Sequence, residues 1–293
     1  MEALKTAPRL SLANILFTTD FSATSERALR FALAIANWYG SEVFIVHAVK
    51  PEPRYAVPLD HLPIELDPAW QEAQQNVTRF EAAHAFKDIV HETVLEHGEP
   101  WPVVSSIVDK QKVDLLVLGT HGRLGLKKMV LGSEAEVMFR QAACPVLTVG
   151  PHVIPIDAHT WKPKNIIFPT DFSETSLHAL PYALSLAEES EANLILLHLT
   201  AMVPLDAKDD LEEKILKQLG GLLPQEAEDW CKPECVLLYE FPAEGILRLA
   251  QERSADLIVM GVRKGAAAAS HMPWATATEV VSRAPCPVLT VRG

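Results

Sequence analysis

The chain has 293 residues, of which 48% are apolar and 22% are charged, and its formal net charge is −12. This composition excludes disorder as the main state, and the length favours two domains. Both halves, divided at Gly150, are acidic, so we do not expect the broad positive surface that binds nucleic-acid phosphates.

Three features of the sequence predict where the protein resides. No uncharged apolar run reaches about 18 residues, so no membrane-spanning helix is expected. The opening residues, MEALKTAPRL, lack the basic-then-apolar pattern of a signal peptide. Four cysteines are too few for a disulfide framework and agree with a reducing compartment. We therefore expect a cytoplasmic protein with no membrane partner.

The sequence contains one unit twice. The run NILFTTDFSATSERALRFALAIA, which begins at Asn14, recurs as NIIFPTDFSETSLHALPYALSLA from Asn165, and ACPVLTV at Ala143 recurs as PCPVLTV at Pro285. The offset falls from 151 to 142, so the second copy is shorter in its middle. A unit this long is a whole domain and not a solenoid repeat. We predict two domains, residues 1–150 and 151–293.

Each copy alternates strand-like and helix-like segments. In the first copy the predicted elements are, in chain order, strand Asn14–Thr19, helix Ser25–Trp38, strand Glu42–Val49, a helix around Trp70–Phe80, strand His91–His97, a helix around Val103–Val108, strand Leu115–Gly119, helix Ser133–Gln141 and strand Pro145–Val149. In the second copy they are Asn165–Pro169, Ser176–Glu189, Asn193–Leu199, Asp209–Leu219, Cys235–Glu240, Glu244–Arg253, Leu257–Gly261, Thr276–Arg283 and Pro287–Val291.

This alternation predicts an α/β fold with two tandem doubly wound domains. Apolar strands that alternate with helices form a parallel sheet covered by helices on both faces, with right-handed crossovers. Pro181 stands inside the predicted helix Ser176–Glu189, where the first copy has Arg30. Because proline lacks an N–H group, we expect a kink there.

Residues with binding chemistry follow two of the predicted strands. Open parallel sheets bind ligands outside the carboxyl ends of their strands. Asp20 follows the first strand and recurs as Asp171, and the glycine-rich run GTHGRLGLKKMVLGS extends from Gly119 to Ser133. A carboxylate can accept hydrogen bonds from ribose hydroxyls, while a glycine loop that leads to a helix N-terminus can hold phosphates. Arg123 adds positive charge to this loop. The pattern indicates a nucleotide site.

Structural explanations of the same residues stay open. Ser133 and Glu136 have the spacing of a capping box, and Gly119 can simply end a strand. A loop histidine such as His121 more often lines a turn or a pocket than acts as an acid or base, and no catalytic partner stands beside it. The pair Cys231 and Cys235 lacks the second ligand pair of a metal site.

Other nucleotide and hydrolase motifs are absent from the sequence. No glycine precedes a lysine, so there is no P-loop of the form G-x-x-x-x-G-K-[ST]. The first strand leads into Asp-Phe-Ser and not into G-x-G-x-x-G, and no G-x-S-x-G elbow is present. The dinucleotide-binding and serine-hydrolase classes are therefore disfavoured.

The TDFS element, the spacing G-x2-G-x9-G-S and the final CPVLTV strand resemble the universal stress protein family over nearly the whole chain. The resemblance implies a five-stranded parallel sheet of order 3-2-1-4-5 in each domain. It also implies ATP, with a possible magnesium ion on the nucleotide, between the ends of strands one and four. The implied nucleotide-binding residues of the first domain are Thr19, Asp20, Ala48, Val49, Gly119, His121, Gly122, Arg123, Gly132, Ser133 and Glu134, and no residue is assigned a catalytic role.

The second copy departs from the glycine pattern. It reads GVRKGAAAASHMPWATATE, which keeps Gly261 but has Lys264 in place of Gly122. In place of Gly132 it has Trp274, or Ala275 if one residue is inserted. Thr276 and Glu279 still have capping-box spacing. A side chain where a phosphate must touch the main chain introduces a clash. We therefore predict one nucleotide per chain, in the first domain.

The resemblance also implies a function and an assembly. Members of this family pair through their last strands, so Val146–Val149 and Val288–Val291 are predicted to pair within one chain as a pseudo-dimer, and a homodimer of chains stays open. The predicted function is a stress-response regulatory protein in which ATP acts as a ligand-controlled switch. A slow ATPase or phosphotransferase, and an assembly module that binds no nucleotide, are the alternatives.

Overall fold

The structure is a computed structural model that describes residues 10–50, 67–84, 86, 89–120, 131–200, 208–263 and 272–293. The elements of the first half are β1 (Asn14–Thr18), α1 (Ala23–Tyr39), β2 (Glu42–Val49), α2 (Pro68–Ala83), β3 (His91–His97), α3 (Pro100–Gln111), β4 (Leu115–Gly119), α4 (Ser133–Gln141) and β5 (Val146–Val149). Those of the second half are β6 (Asn165–Pro169), α5 (Glu174–Leu177), α6 (Leu180–Ser190), β7 (Asn193–Leu199), α7 (Lys208–Gly220), α8 (Ala227–Trp230), β8 (Lys232–Leu238), α9 (Pro242–Glu252), β9 (Leu257–Val262), α10 (Met272–Arg283) and β10 (Val288–Arg292).

The strands form one ten-stranded sheet in the order β3-β2-β1-β4-β5-β10-β9-β6-β7-β8. Each half is parallel and has the order 3-2-1-4-5, which confirms the predicted doubly wound fold. The helices cover both faces of the sheet. Adjacent residues of a buried strand point to opposite faces, so each strand contributes to two hydrophobic layers. Leu16 and Phe17 of β1, for example, lie in different hydrophobic layers, as do Ile167 and Phe168 of β6.

The two halves meet where β5 and β10 pair in antiparallel fashion, with Leu147 opposite Leu289. Two side-chain hydrogen bonds repeat across the junction. The Thr148 hydroxyl donates to the Val288 carbonyl at 3.1 Å, and the Thr290 hydroxyl donates to the Val146 carbonyl at 3.2 Å. The predicted pairing of the final strands within one chain is therefore present. It closes an edge that each half-sheet would otherwise expose.

The first helix of the second half differs from its prediction. Instead of one kinked helix over Ser176–Glu189, the structure has α5 and α6, separated at residues 178–179. Pro181 lies in the first turn of α6, where its missing N–H costs little because the first N–H groups of a helix have no intrahelical acceptor. The proline thus begins a new helix, and the expectation of a kinked single helix is wrong.

Three further elements of the second half differ from the predictions. Helix α8 has only four residues and was not predicted, and α10 begins four residues before Thr276. Strand β8 covers Lys232–Leu238 and not Cys235–Glu240. It is an edge strand that begins Lys-Pro-Glu, and edge strands tolerate proline and charge, which hides them from a search for apolar runs.

Gly261 of β9 lies where the start of α5 packs against the sheet. A Cβ atom at this position would lie 2.2 Å from the Thr175 carbonyl oxygen and 2.6 Å from the Ser176 Cα. We expect Gly261→Ala to lower the free energy of unfolding by about 2 kcal/mol, since helix and strand must separate to admit the methyl group. Urea denaturation measures this change.

Gly220 provides the matched control, because a Cβ there meets nothing within 4 Å. Gly220→Ala should change stability by less than about 1 kcal/mol, or raise it slightly. Equal effects of the two substitutions would contradict the close packing described for Gly261.

Candidate functional site

A sharp turn connects β1 to α1 and orients the first predicted site residues. The Phe21 N–H donates to Thr19 Oγ1 at 2.9 Å, and the Ser22 N–H donates to Asp20 Oδ1 at 3.0 Å. Ser22 then caps α1 by accepting a hydrogen bond from the Ser25 N–H at 3.2 Å. These bonds hold Phe21 in the left-handed region, with φ 59°. The polar residues of the TDFS element therefore build the turn as well as line the sheet edge.

The second copy forms the same turn. The Ser173 N–H and hydroxyl both donate to Asp171 Oδ1, at 3.0 and 2.5 Å, and Phe172 has φ 61°. Burial favours the neutral acid, but the hydrogen bonds from Ser173 outweigh it and lower the pKa of Asp171 below its ordinary value. Conservation of this turn between the halves thus has a structural cause that is independent of any ligand.

A histidine from the neighbouring strand fixes the end of β1. His47 Nδ1 lies 2.7 Å from the Thr19 carbonyl oxygen, and its ring centroid lies 4.6 Å from that of Phe21. His198 repeats the contact with Thr170 at 2.8 Å. Because the partner is a carbonyl oxygen, Nδ1 must carry the hydrogen. The ends of the first two strands of each half are thereby tied together.

Gly119 and Gly132 bring the fourth strand and its helix to the same edge. A Cβ at Gly119 would lie 3.1 Å from the Ser25 nitrogen, so glycine lets the start of α1 lie close to β4. The next residue, Thr120, is fully buried and accepts a hydrogen bond from the Gly132 N–H at 2.8 Å. The chain therefore leaves β4 and returns to the same point before α4. The predicted site residues His121, Gly122 and Arg123 lie outside the described residues.

The N-terminus of α4 has no side-chain cap. Gly132 occupies the capping position, and Ser133 is the first helical residue and is exposed. Glu136 pairs with Arg140 at 2.7 Å instead of reaching back to Ser133. The capping-box explanation of Ser133 is therefore wrong, because a capping serine must lie outside the helix. The first-turn N–H groups keep the capacity to bind an anion.

The capping box suggested for the second copy is also wrong. Helix α10 begins at Met272, so Thr276 lies within the helix and not at its start. Glu279 forms an ion pair with Arg283, one turn further along the same helix. The two copies thus differ in where the fourth helix begins as well as in their glycines.

Lys50 is a residue of this edge that the sequence search did not select. It directly follows β2, and its ammonium group contacts the Glu134 carboxylate and lies 3.3 Å from Glu99 Oε2. The hydrogen bond with Glu134 raises the pKa of Lys50, with a smaller contribution from Glu99 against partial desolvation. Its signal in the sequence is its place immediately after a predicted strand end.

The structure brings together the described members of the predicted site. All of them lie at the carboxyl ends of β1, β2 and β4 or at the start of α4; they are Thr19, Asp20, Ala48, Val49, Gly119, Gly132, Ser133 and Glu134. Val49 is buried and Ala48 is half-buried. The predicted acid and the helix N-terminus therefore share one edge of the sheet.

The second half has a crevice of about 420 Å³ at the corresponding strand ends. Its lining includes Asp171, Leu199, Met260, Gly261 and Thr276. The lining thus combines a carboxylate and hydroxyls with apolar side chains. The loss of the glycine pattern has therefore not filled this edge within the part of the chain that the structure describes.

Several other kinds of site find no support among the described residues. No group of three or more His, Cys, Asp or Glu side chains there is placed to hold a metal ion. The four cysteines are free thiols. None of the helices described has the length and apolar character needed to cross a bilayer.

These observations define a class of protein: a tandem α/β protein with a carboxylate and an uncapped helix N-terminus at one edge of its sheet. The model described as the universal stress protein family matches residues 12–150 and 162–292, one match for each half. The chain therefore belongs to the universal stress protein family.

Individual relatives match one half of the chain. Universal stress protein MJ0531 of Methanocaldococcus jannaschii is 34% identical over 139 residues, which are 46% of this chain and 80% of that protein. A universal stress protein of Thermus aquaticus, named for the QAH/OAS sulfhydrylase 3′ region, is 30% identical over 141 residues, or 46% of this chain and 96% of its own.

Solved structures also resemble the tandem arrangement as a whole. The crystal structure of a universal stress protein from Archaeoglobus fulgidus aligns over 97% of this chain and 99% of its own, with a TM-score of 0.70 and 20% identity. At this level of identity the likeness supports the fold.

The turn at Asp171 predicts a pH dependence. Because the pKa of Asp171 is lowered on folding, its contribution to stability is present above the ordinary carboxyl pKa and is lost as pH falls through the lowered value. Ser173→Ala removes one of the two hydrogen bonds, so the pKa of Asp171 should rise. A carboxyl-carbon NMR titration measures the midpoint.

Ser190→Ala is the control, since this hydroxyl donates to the Leu186 carbonyl and not to an acid. It should leave the Asp171 titration unchanged. An unchanged midpoint in Ser173→Ala would show that the hydroxyl does not stabilise the Asp171 carboxylate.

Proposed function

We propose that the protein binds ATP in its first domain and acts as a stress-response regulatory protein whose state depends on that nucleotide. The observation that carries the proposal is the shared edge: the Asp20 turn and the uncapped N-terminus of α4 lie beside neighbouring strands. Adjacent strands of a sheet lie about 4.8 Å apart, so one ligand can span both.

The chemistry of each group suits one part of the nucleotide. The Asp20 carboxylate accepts hydrogen bonds from ribose hydroxyls, and the free N–H groups from Ser133 onward donate to phosphate oxygens. Ala48 and Val49 supply an apolar surface for the adenine ring. Family resemblance assigns the remaining lining to Thr19, Gly119, His121, Gly122, Arg123, Gly132 and Glu134. A magnesium ion would be carried by the phosphates, and no residue of the chain is assigned to it.

The proposal limits binding to one nucleotide per chain. The second domain keeps Asp171 and a crevice, but Lys264 and Trp274 stand where the first domain has Gly122 and Gly132. Because a side chain at a position where a phosphate must touch the main chain would clash with it, we expect the second domain not to bind the nucleotide. A cytoplasmic location forms part of the proposal, supported by the four free thiols.

Isothermal titration calorimetry with ATP tests the site. We expect one site per chain, with Asp20→Ala weakening ATP binding by about tenfold or more, because a charged acceptor for the ribose is lost. Asp171→Ala is the matched control, since it makes the same change in the same turn of the other domain. It should leave ATP affinity unchanged.

Two results would overturn the proposal. The first is two equivalent sites per chain, and the second is unchanged ATP affinity in Asp20→Ala. Mass spectrometry of ligand released from the purified protein under denaturing conditions identifies and counts any retained nucleotide. If the purified protein retains less than about one nucleotide per chain, added ATP should raise the count to one.

A further inference from the structure

An ion cluster of three charged side chains lies beside the proposed phosphate position. Lys50 follows β2, Glu99 precedes α3, and Glu134 is the second residue of α4. The Lys50 ammonium contacts Glu134 and lies 3.3 Å from Glu99. One positive charge thus faces two negative charges, next to the helix start that would receive the phosphates.

This ion cluster contributes little to the stability of the fold. The side chains of Lys50, Glu134 and Glu99 are 48%, 42% and 64% exposed. Ion pairs with that exposure contribute little to the free energy of folding, because water solvates the separate charges almost as well. The lysine can therefore change partner at small cost, whereas a buried pair could not.

An incoming polyphosphate competes for Lys50. Glu134 directly follows Ser133, so the side chain that contacts the ammonium group belongs to the first turn of α4. A phosphate bound there carries more negative charge than the Glu134 carboxylate and offers several acceptor oxygens. It also repels the Glu134 carboxylate, which favours the displacement of Glu134 from the ammonium group.

We propose that Lys50 exchanges Glu134 for a ligand phosphate, so that this lysine makes the affinity of the site depend on the phosphate charge of the nucleotide. The inference rests on the proposed function and names a specificity device within it. Glu134 acts as the resting partner that the ligand replaces, and Glu99 keeps the ammonium group at the sheet edge while that replacement occurs.

The three sequence positions of the second domain that correspond to the ion cluster carry no charged residue. The sequence counterparts of Lys50, Glu99 and Glu134 are Ala201, Phe241 and Thr276. Phe241 is 79% exposed, so this position carries an apolar side chain where the first domain has a carboxylate. The charges are thus absent from the same domain in which the glycine pattern is lost. This association supports a role of the ion cluster in binding phosphate, since a purely structural role would apply to both domains.

Calorimetric titrations of ATP and of adenosine with the full chain test the exchange at constant magnesium. Lys50→Met should weaken ATP binding about tenfold, the loss expected for one charge-assisted hydrogen bond, and should change adenosine binding less than about twofold. Lys50→Arg should restore most of the ATP affinity. Glu134→Gln should strengthen ATP binding about threefold, because it removes a competitor and a repulsive charge.

Lys214→Met is the control for net charge, since it removes the same charge from an exposed position on α7 of the second domain. It should leave both affinities unchanged. Unchanged adenosine binding in Lys50→Met also shows that the variant is folded.

The possible failures are distinguishable. If the natural protein binds ATP but Lys50→Met reduces ATP and adenosine affinity equally, or reduces neither, the exchange is wrong and the proposed function stands. The exchange is also wrong if Glu134→Gln weakens ATP binding as much as Lys50→Met does. If the natural protein binds neither ligand, the proposed function fails and the exchange fails with it.

Discussion

The turn between the first strand and the first helix is the constraint on which each domain depends. Thr19 and Asp20 use their side chains to satisfy main-chain N–H groups, which lets Phe21 take a left-handed conformation and brings α1 directly over the sheet. Gly119 then allows the helix start to approach β4 closely. This approach fixes where the start of α1 lies relative to the carboxyl end of β4, at the edge that carries the proposed site.

The duplicated halves separate the requirements of folding from those of binding. Asp171 and Gly261 persist in the second half, and both have structural explanations: Asp171 closes the turn, and a side chain at Gly261 would overlap the Thr175 carbonyl. Repetition of a residue is therefore weak support for a ligand role. Two features occur in the first half alone: Gly122 with Gly132, and the ion cluster of Lys50, Glu99 and Glu134. Because the second half folds without them, folding of the domain does not require them.

The sequence pattern predicted the parallel strands and the edge that carries the site, because buried parallel strands are short apolar runs and the TDFS turn is local, whereas the order of the strands followed from the family resemblance. It did not predict the separation of α5 from α6 at Pro181, or the start of α10, because tertiary packing decides where such helices begin. The capping of α4 by Gly132 instead of Ser133 depends on the hydrogen bond from Gly132 to Thr120 across the loop. Lys50 was missed for the same reason, since its partners lie far away in the sequence.

The antiparallel junction gives the two halves opposite strand directions, so their carboxyl edges lie on opposite sides of the continuous sheet. A ligand at one edge cannot touch the other edge, so a substitution at one edge does not alter the side chains at the other.

The junction between the halves nevertheless contacts the helix of the proposed site, α4. The Arg292 guanidinium at the end of β10 donates to the Gln141 carbonyl at 3.0 Å, at the C-terminus of that helix. A positive charge at this end complements the helix dipole, whose opposite end lies beside the proposed phosphate position. The second half thus stabilises the helix of the first half that we propose to bind the phosphates, without contributing a residue to the proposed site.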